Sequence, residues 1–195
     1  MEKKMNSSIS GSRKNLWDIV YANYKGGRQL YSDDFTVRKG AAFLNVPDVE
    51  VIEDWGCGYG GLRDYIGSNQ KYTGVDGSRT PFADKIVDLE EYSSKVDAIF
   101  MRHVLEHNPN WGKILKNAMA SFEKRMVLIL FTPFVEITKI INEYPYWANT
   151  NISMVDIAFK KADIVQYFSG IGWSCEENLC TNTQYKIEHI FYLIK

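Results

Sequence analysis

The sequence predicts an α/β fold, a three-layer sandwich centred on a mostly parallel sheet. Three observations carry this. From residue 50 onward, short β-branched runs alternate with helical stretches. The first run ends in "DWGCGYGG" (54–61), dense in glycine. The last two runs are separated only by "TNTQY", too short for a parallel crossover, so they pair antiparallel.

Composition bounds the answer. The 195 residues suffice for one domain, expected over 1–195, with a core that needs no covalent staples. An apolar content of 45%, with 14% aromatics, excludes a disordered chain. The formal net charge of −1 argues against a nucleic-acid partner. Cys57, Cys175 and Cys180 are an odd number without a CxxC pair, which fits reduced thiols in a cytoplasmic protein. Lys3 and Lys4 precede the polar "NSSISGSRKN", not an apolar signal core. The longest apolar run, "MVLILF" (126–131), suits a buried strand and is far short of a membrane span, so a soluble protein is expected.

The elements follow in order. Residues 1–11 read as a frayed tail. "SRKNLWDIVYANY" (12–24) spaces Leu16, Ile19, Val20 and Asn23 as a helix, with Ser12 as N-cap. "KGGRQLYSDD" is a loop, and "FTVRKGAAFLN" a second helix closed by Val46-Pro47. "VEVIED", "KYTGVD", "DKIVD", "VDAIFM" and "RMVLILF" read as strands. "GLRDYIG", "NWGKILKNAMASF" and "VEITKIINEY" read as helices. "KKADIVQYFSGIG" (160–172) is a last helix ending at Gly170 or Gly172, before the strand pair "WSCEENLC" and "KIEHIFYLIK".

The glycines are the first functional signal. Behind a strand ending at Asp54, Gly56, Gly58, Gly60 and Gly61 let backbone come close to a ligand. Gly56, Gly58 and Gly61 satisfy G-x-G-x-x-G, and a helix start near Gly61-Leu62 offers unpaired N–H groups. Asp76, with Gly77 directly behind it, ends the second strand some twenty residues later. A carboxylate there can accept both hydroxyls of a ribose. An adenosine-bearing cofactor follows; these residues leave open a nicotinamide dinucleotide or S-adenosylmethionine.

"VIEDWGCGYG" (51–60) and, after the fourth strand, Val104-Leu105-Glu106-His107 decide between them. Here the chain resembles the class I S-adenosylmethionine-dependent methyltransferases, whose first motif is commonly "VLDxGCGxG" and whose fourth strand leads into "VLEH". The resemblance covers residues 12–195, including "VDAIF" and the closing strand pair, and departs at Glu53 beside Asp54. It implies a Rossmann-like open sheet of seven strands, order 3-2-1-4-5-7-6, with strand 7 antiparallel, and S-adenosylmethionine as cofactor. It also implies roles. Asp54 would hold the loop, while Gly56, Cys57 and Gly58 would lie along the amino-acid part of the cofactor. Asp76 and Gly77 would meet the ribose, Asp88 and Leu89 the adenine, and Arg102 and His103 the methionine moiety.

The acceptor is expected above the ends of strands four and five, near His103, Glu106, His107, Trp111 and "TPF" (132–134). His103, Glu106 and His107 are the catalytic candidates, with His107 first as a base titrating near neutrality; its other reading is a cap or packing residue of the next helix. His103-x-x-Glu106-His107 also resembles the divalent-metal site of some small-RNA and quinone-pathway methyltransferases. With His at the first ligand position, and only His189 besides, no metal site is assigned.

"LWDIVYANYKGGRQLYSDD" (16–34) resembles the lid segments of small-molecule and saccharide methyltransferases, which implies a lid over the first 45 residues, where Trp17, Tyr21, Tyr24 and Tyr31 exclude water and face the sulfonium, or pack the helix on the sheet as Trp17 should. Lys25, Arg28 and Arg38 are candidates for an anionic group or simply surface. An insertion over 134–158 carries Tyr144, Tyr146 and Trp147, with Phe159 just after; such rings suit sugars, planar substrates or a homodimer interface. The expected function is methyl transfer to a small-molecule or saccharide acceptor, at oxygen. The alternatives are an NAD(P)-dependent oxidoreductase, disfavoured by the long N-terminal region and missing second domain, and a non-catalytic S-adenosylmethionine-binding regulator. A nucleic-acid methyltransferase is disfavoured because "TPF" misses the amide-binding first position of a "PPY"-type motif.

Overall fold

From Ala98 to Met101, and again from Met126 to Leu130, every side chain is apolar and buried, as strands covered on both faces require. The computed structural model showing this describes residues 17–19, 21–22, 34–144, 154–179 and 181–195. Helix α1 (Phe35–Leu44) precedes strands β1 (Val51–Trp55), β2 (Lys71–Asp76), β3 (Lys85–Ile86) and β4 (Val96–Arg102). Helix α2 (Trp111–Ser121) leads directly into β5 (Phe122–Leu130). The hairpin β6 (Lys139–Tyr144) and β7 (Met154–Ala158) follows, then helix α3 (Lys161–Val165), β8 (Gly172–Leu179) and β9 (Ile187–Ile194).

The main sheet has seven strands in the order β3-β2-β1-β4-β5-β9-β8. Strands β1 to β5 run parallel, and β9 lies antiparallel to both β5 and β8. This is the expected order, with β9 as the seventh strand. Side-chain alternation splits the core. Ala98, Phe100, Val127 and Ile129 meet Val37, Ala41 and Leu44 of α1 on one face. Ile99, Met101, Leu128 and Leu130 meet Ile114, Leu115 and Ala118 of α2 on the other.

Four expected elements differ. "GLRDYIG" is only a 3-10 turn, Gly61–Tyr65, because left-handed Gly60 and the turn at Gly67 leave room for little more. "VEITKIINEY" is not a helix: its second half is β6, whose β-branched Ile140 and Ile141 favour the extended ladder with Met154–Ala158. The helix expected over 160–172 is shorter, with α3 passing into a 3-10 turn at Gln166–Phe168. β3 keeps only two residues of "DKIVD". Residues 17–19 and 21–22 are helical, and the rest of the first expected helix lies outside the described residues.

Contact between α1 and the sheet depends on Gly40. A Cβ there would lie 2.6 Å from Cε2 of the buried Phe100 ring and 3.1 Å from Val127 Cγ1. Neither neighbour is the loose end of a side chain, so overpacking outweighs any gain in helix propensity. Gly40→Val should lower the unfolding free energy by about 2 kcal/mol or more, read by urea denaturation.

Candidate functional site

At the carboxyl ends of β1, β2 and β4 lies a cavity of 380 Å³. Its near wall is the glycine turn. Gly56 and Gly58 have φ of 77° and 51°, in the left-handed region that a Cβ disfavours. A Cβ on Gly56 would meet Val104 Cγ2 at 2.3 Å. The turn is pinned from β2: Gly56 N–H donates to Val75 O at 2.7 Å, and Gly58 N–H to Asp76 Oδ2 at 2.9 Å. Thr80 Oγ1 donates to Gly58 O at 2.6 Å.

Asp76, not Asp54, therefore holds the loop. Asp54 also lines the cavity, and it accepts from Tyr72 Oη at 2.7 Å. Burial pushes the Asp54 carboxyl up to about 7, against the Tyr72 hydrogen bond and with neighbouring Asp76 adding to the rise. Glu53 projects to the opposite face, where it accepts from Trp55 Nε1, Lys85 Nζ, Tyr92 Oη and Ser94 Oγ. Burial works to raise Glu53, but those donors hold it below the ordinary carboxylate range. Cys57 also faces the cavity, its thiol pushed up strongly by burial, which removes it as a nucleophile at neutral pH. Gly77, Asp88 and Leu89 continue the wall.

At the other side, β4 ends in Arg102 and His103, which also line the cavity. Both point at one atom. Glu188 Oε1 accepts from Arg102 Nη2 at 2.8 Å and Nε at 3.1 Å, and lies 2.6 Å from His103 Nε2. Thr36 Oγ1 on α1 donates to it at 3.1 Å. Burial and the Arg102 charge push His103 down to about 4, so its ring is neutral at pH 7. Sequence reasoning missed Glu188, although an acid inside "KIEHIFYLI" was its signal.

His107 lines the cavity between two rings, 5.4 Å from Phe131 and 5.6 Å from Trp17 by centroid. Its Nδ1 lies 2.9 Å from Val155 O and 3.3 Å from Asp156 Oδ1. Burial works to lower this imidazole, but Asp156, the Val155 carbonyl and Glu106 outweigh it and hold it above its ordinary value. Asp156, also unnoticed in the sequence, is 1% exposed and accepts from Tyr185 Oη at 2.8 Å and Tyr144 Oη at 3.1 Å.

Several expectations need correction. Glu106 is 0% exposed and is not part of the cavity wall. Its Oε1 accepts from Phe131 N–H at 2.6 Å, tying the 3-10 turn Leu105–His107 to the end of β5. Trp17 lines the cavity with Tyr21, their centroids 6.0 Å apart. Trp111 and Phe159 meet in the core at 5.1 Å. In "TPF", Thr132 donates to Ile157 O at 2.9 Å and Phe134 stacks on His189 at 3.9 Å, so Phe131 takes the place at the cavity. Arg38 pairs with Asp34 at 3.3 Å on the exposed side of α1. Tyr24, Lys25, Arg28, Tyr31, Tyr146, Trp147 and Cys180 lie outside the described residues. Among the described residues no three His, Cys, Asp or Glu side chains are grouped to hold a metal ion, and no helix is long and apolar enough to cross a membrane.

Sheet order and a glycine-turn cavity at the strand ends together define the class I S-adenosylmethionine-dependent methyltransferase fold. A family model described as a methyltransferase domain matches residues 38–177, and the chain belongs to that family. The magnesium protoporphyrin IX methyltransferase of Synechocystis PCC 6803, solved with S-adenosylmethionine bound, superposes with a TM-score of 0.67 at 16% identity, over 99% of this chain and 100% of that one. The 1,6-didemethyltoxoflavin-N1-methyltransferase of Burkholderia thailandensis gives 0.67 at 13% identity, covering 100% and 93%. The N-terminal domain of EvdMO1, with S-adenosylhomocysteine and D-fucose, gives 0.58 at 14% identity, covering 97% and 99%. A search of curated proteins finds no match.

Glu106 makes stability depend on pH. Burial pushes its folded carboxyl from 4.5 up to about 7, so its contribution is fully present below pH 4.5 and is lost as pH rises through 7. Relative to Glu106→Gln, wild-type stability should fall between about pH 5 and 8 in urea titrations, a comparison in which the opposite contribution of neutral His103 cancels. An equal fall in both would show that Glu106 does not titrate in this window.

Proposed function

We propose that this chain transfers a methyl group from S-adenosylmethionine to a small-molecule or saccharide acceptor, at oxygen. The carrying observation is one cavity with two chemically distinct walls. Bare glycine backbone and the acids Asp76 and Asp88 stand on one side, and His107 between aromatic rings on the other.

The residues fit the cofactor. A Cβ on Gly58 would lie 3.3 Å from Tyr21 Oη, narrowing the slot between loop and helical segment. Asp76 Oδ2 and Oδ1 accept from Gly58 and Ser78 N–H at 2.9 and 2.8 Å. A carboxylate offers about four lone-pair sites, so capacity remains for ribose hydroxyls. Asp88 and Leu89 would hold the adenine. Arg102 is already neutralised by Glu188, and that paired environment suits a zwitterionic amino-acid end better than a lone anion. When bound, S-adenosylmethionine supplies a methyl carbon whose bond to cationic sulfur breaks, both electrons staying on sulfur, as the acceptor bond forms. Trp17, Tyr21 and Phe131 present ring faces that favour positive charge and exclude water. His107 takes the proton of the acceptor.

The acceptor class draws support from neighbours of the same fold, whose names carry a porphyrin, 1,6-didemethyltoxoflavin and D-fucose. The choice of oxygen rests on His107.

Calorimetry with S-adenosylmethionine, S-adenosylhomocysteine and NAD in parallel should show binding of the two sulfur compounds alone. Gly58→Val puts a β-branched residue at φ of 51° and should lower that affinity at least about tenfold while the circular dichroism spectrum stays native. Retained affinity would place the cofactor elsewhere. With a responsive phenol or sugar, His107→Ala should keep cofactor affinity and slow turnover by about 10²-fold or more. Full activity would remove His107 as the base.

A further inference from the structure

His107 belongs to the turn after β4, yet its Nδ1 edge is held by the hairpin β6–β7. The nearer partner there is a carbonyl oxygen, Val155 O at 2.9 Å, which only accepts. Nδ1 must therefore carry hydrogen, and the lone pair of the neutral ring is on Nε2. Behind this edge Asp156 turns Oδ1 toward the ring at 3.3 Å, while both tyrosine hydroxyls donate to its Oδ2. Burial alone would raise Asp156, but His107, Tyr185 and Tyr144 keep it below its ordinary value and so ionised. Tyr144, Met154, Asp156, Thr183 and Gln184 also line the cavity, opposite the glycine turn.

We propose that Asp156 is the positioning residue of the acceptor site: with the Val155 carbonyl it fixes the His107 tautomer, so that Nε2 takes the proton of a neutral hydroxyl acceptor, a phenol or a sugar alcohol. This rests on the methyl-transfer reading above and adds the hairpin as the acceptor half of the site. In the proton step the acceptor O–H bond breaks, its electron pair stays on oxygen as the nucleophile, and an N–H bond forms at Nε2. The resulting imidazolium is offset by the Asp156 charge 3.3 Å away. Other titratable groups facing the ring are Glu106 from its own turn and His103 from the end of β4. Glu106 adds to the basicity of His107, and His103 is neutral at pH 7.

Long-range proton–nitrogen NMR of histidine-labelled full-length protein, titrated from about pH 5 to 9, reads this directly, with His107→Gln to assign the signal. Neutral His107 should appear as the Nδ1–H tautomer. In Asp156→Asn its midpoint should fall by about one pH unit or more. Tyr185→Phe removes a donor that draws charge from Asp156, so it should leave the midpoint unchanged or higher, whereas general loosening would lower it in both variants. An Nε2–H tautomer in the wild type, or an unmoved midpoint in Asp156→Asn, overturns the proposal. If Asp156→Asn does not fold, the wild-type tautomer and Tyr185→Phe still decide. Release of S-adenosylhomocysteine with amine acceptors but not with phenols or sugars would overturn the hydroxyl assignment. Calorimetry with S-adenosylhomocysteine on the same wild-type sample tests the cofactor reading separately, since the imidazole signals do not depend on it.

Discussion

One oxygen, Glu188 Oε1, joins three parts of the chain that are remote in sequence. It accepts from Arg102 at the end of β4 and Thr36 of α1, and it contacts His103. Glu188 is 0% exposed, and a carboxylate so buried costs several kcal/mol unless a cation and donors surround it. Strand β9 thus has good reason to seat where Arg102 can reach it. That contact anchors the end of the central strand just where His103 adopts a φ of 57° and turns the chain over the cavity. The floor of the site and the antiparallel closure of the sheet share this one ion pair.

Neighbouring acids show how finely the strand ends are differentiated. Glu53 and Asp54 are consecutive, so the pleat of β1 sends them to opposite faces. Glu53 meets Lys85 and three neutral donors and is held low; Asp54 meets one tyrosine and another acid and is pushed up to about 7. Burial acts on both. The difference comes from who stands opposite. Asp76 completes the arrangement by spending its oxygens on backbone N–H groups of the glycine turn and of the residue beyond Gly77, so the acid shapes the loop beside which it stands.

Likeness to methyltransferases at 13% to 16% identity shows how far this fold tolerates sequence change. Tolerance of that kind leaves the sheet intact and lets the segments around it vary. The β6–β7 hairpin brings Asp156, Tyr144 and a backbone carbonyl against a histidine from the sheet end.

Much of the fold was legible in the sequence because its signals are local. Continuous apolar runs, the glycine cluster behind Asp54 and a five-residue gap before the last strand each act within a few residues. They suffice for the alternation of strands and helices, the closing antiparallel pair and the glycine turn at the cavity, whereas the full sheet order was implied by the family resemblance that the motifs carry. Local signals misled where pairing competes with propensity, as in 135–144, read as a helix and found partly in β6. Side-chain roles at the site were legible only in part. That Glu106 turns inward to Phe131, that Asp76 pins the loop, and that Asp156 and Glu188 serve His107 and Arg102 are decisions of tertiary structure. The partners of His107 and His103 lie 48 and 85 residues away, and a buried charge is settled by its spatial neighbours, which no short-range pattern in the chain encodes.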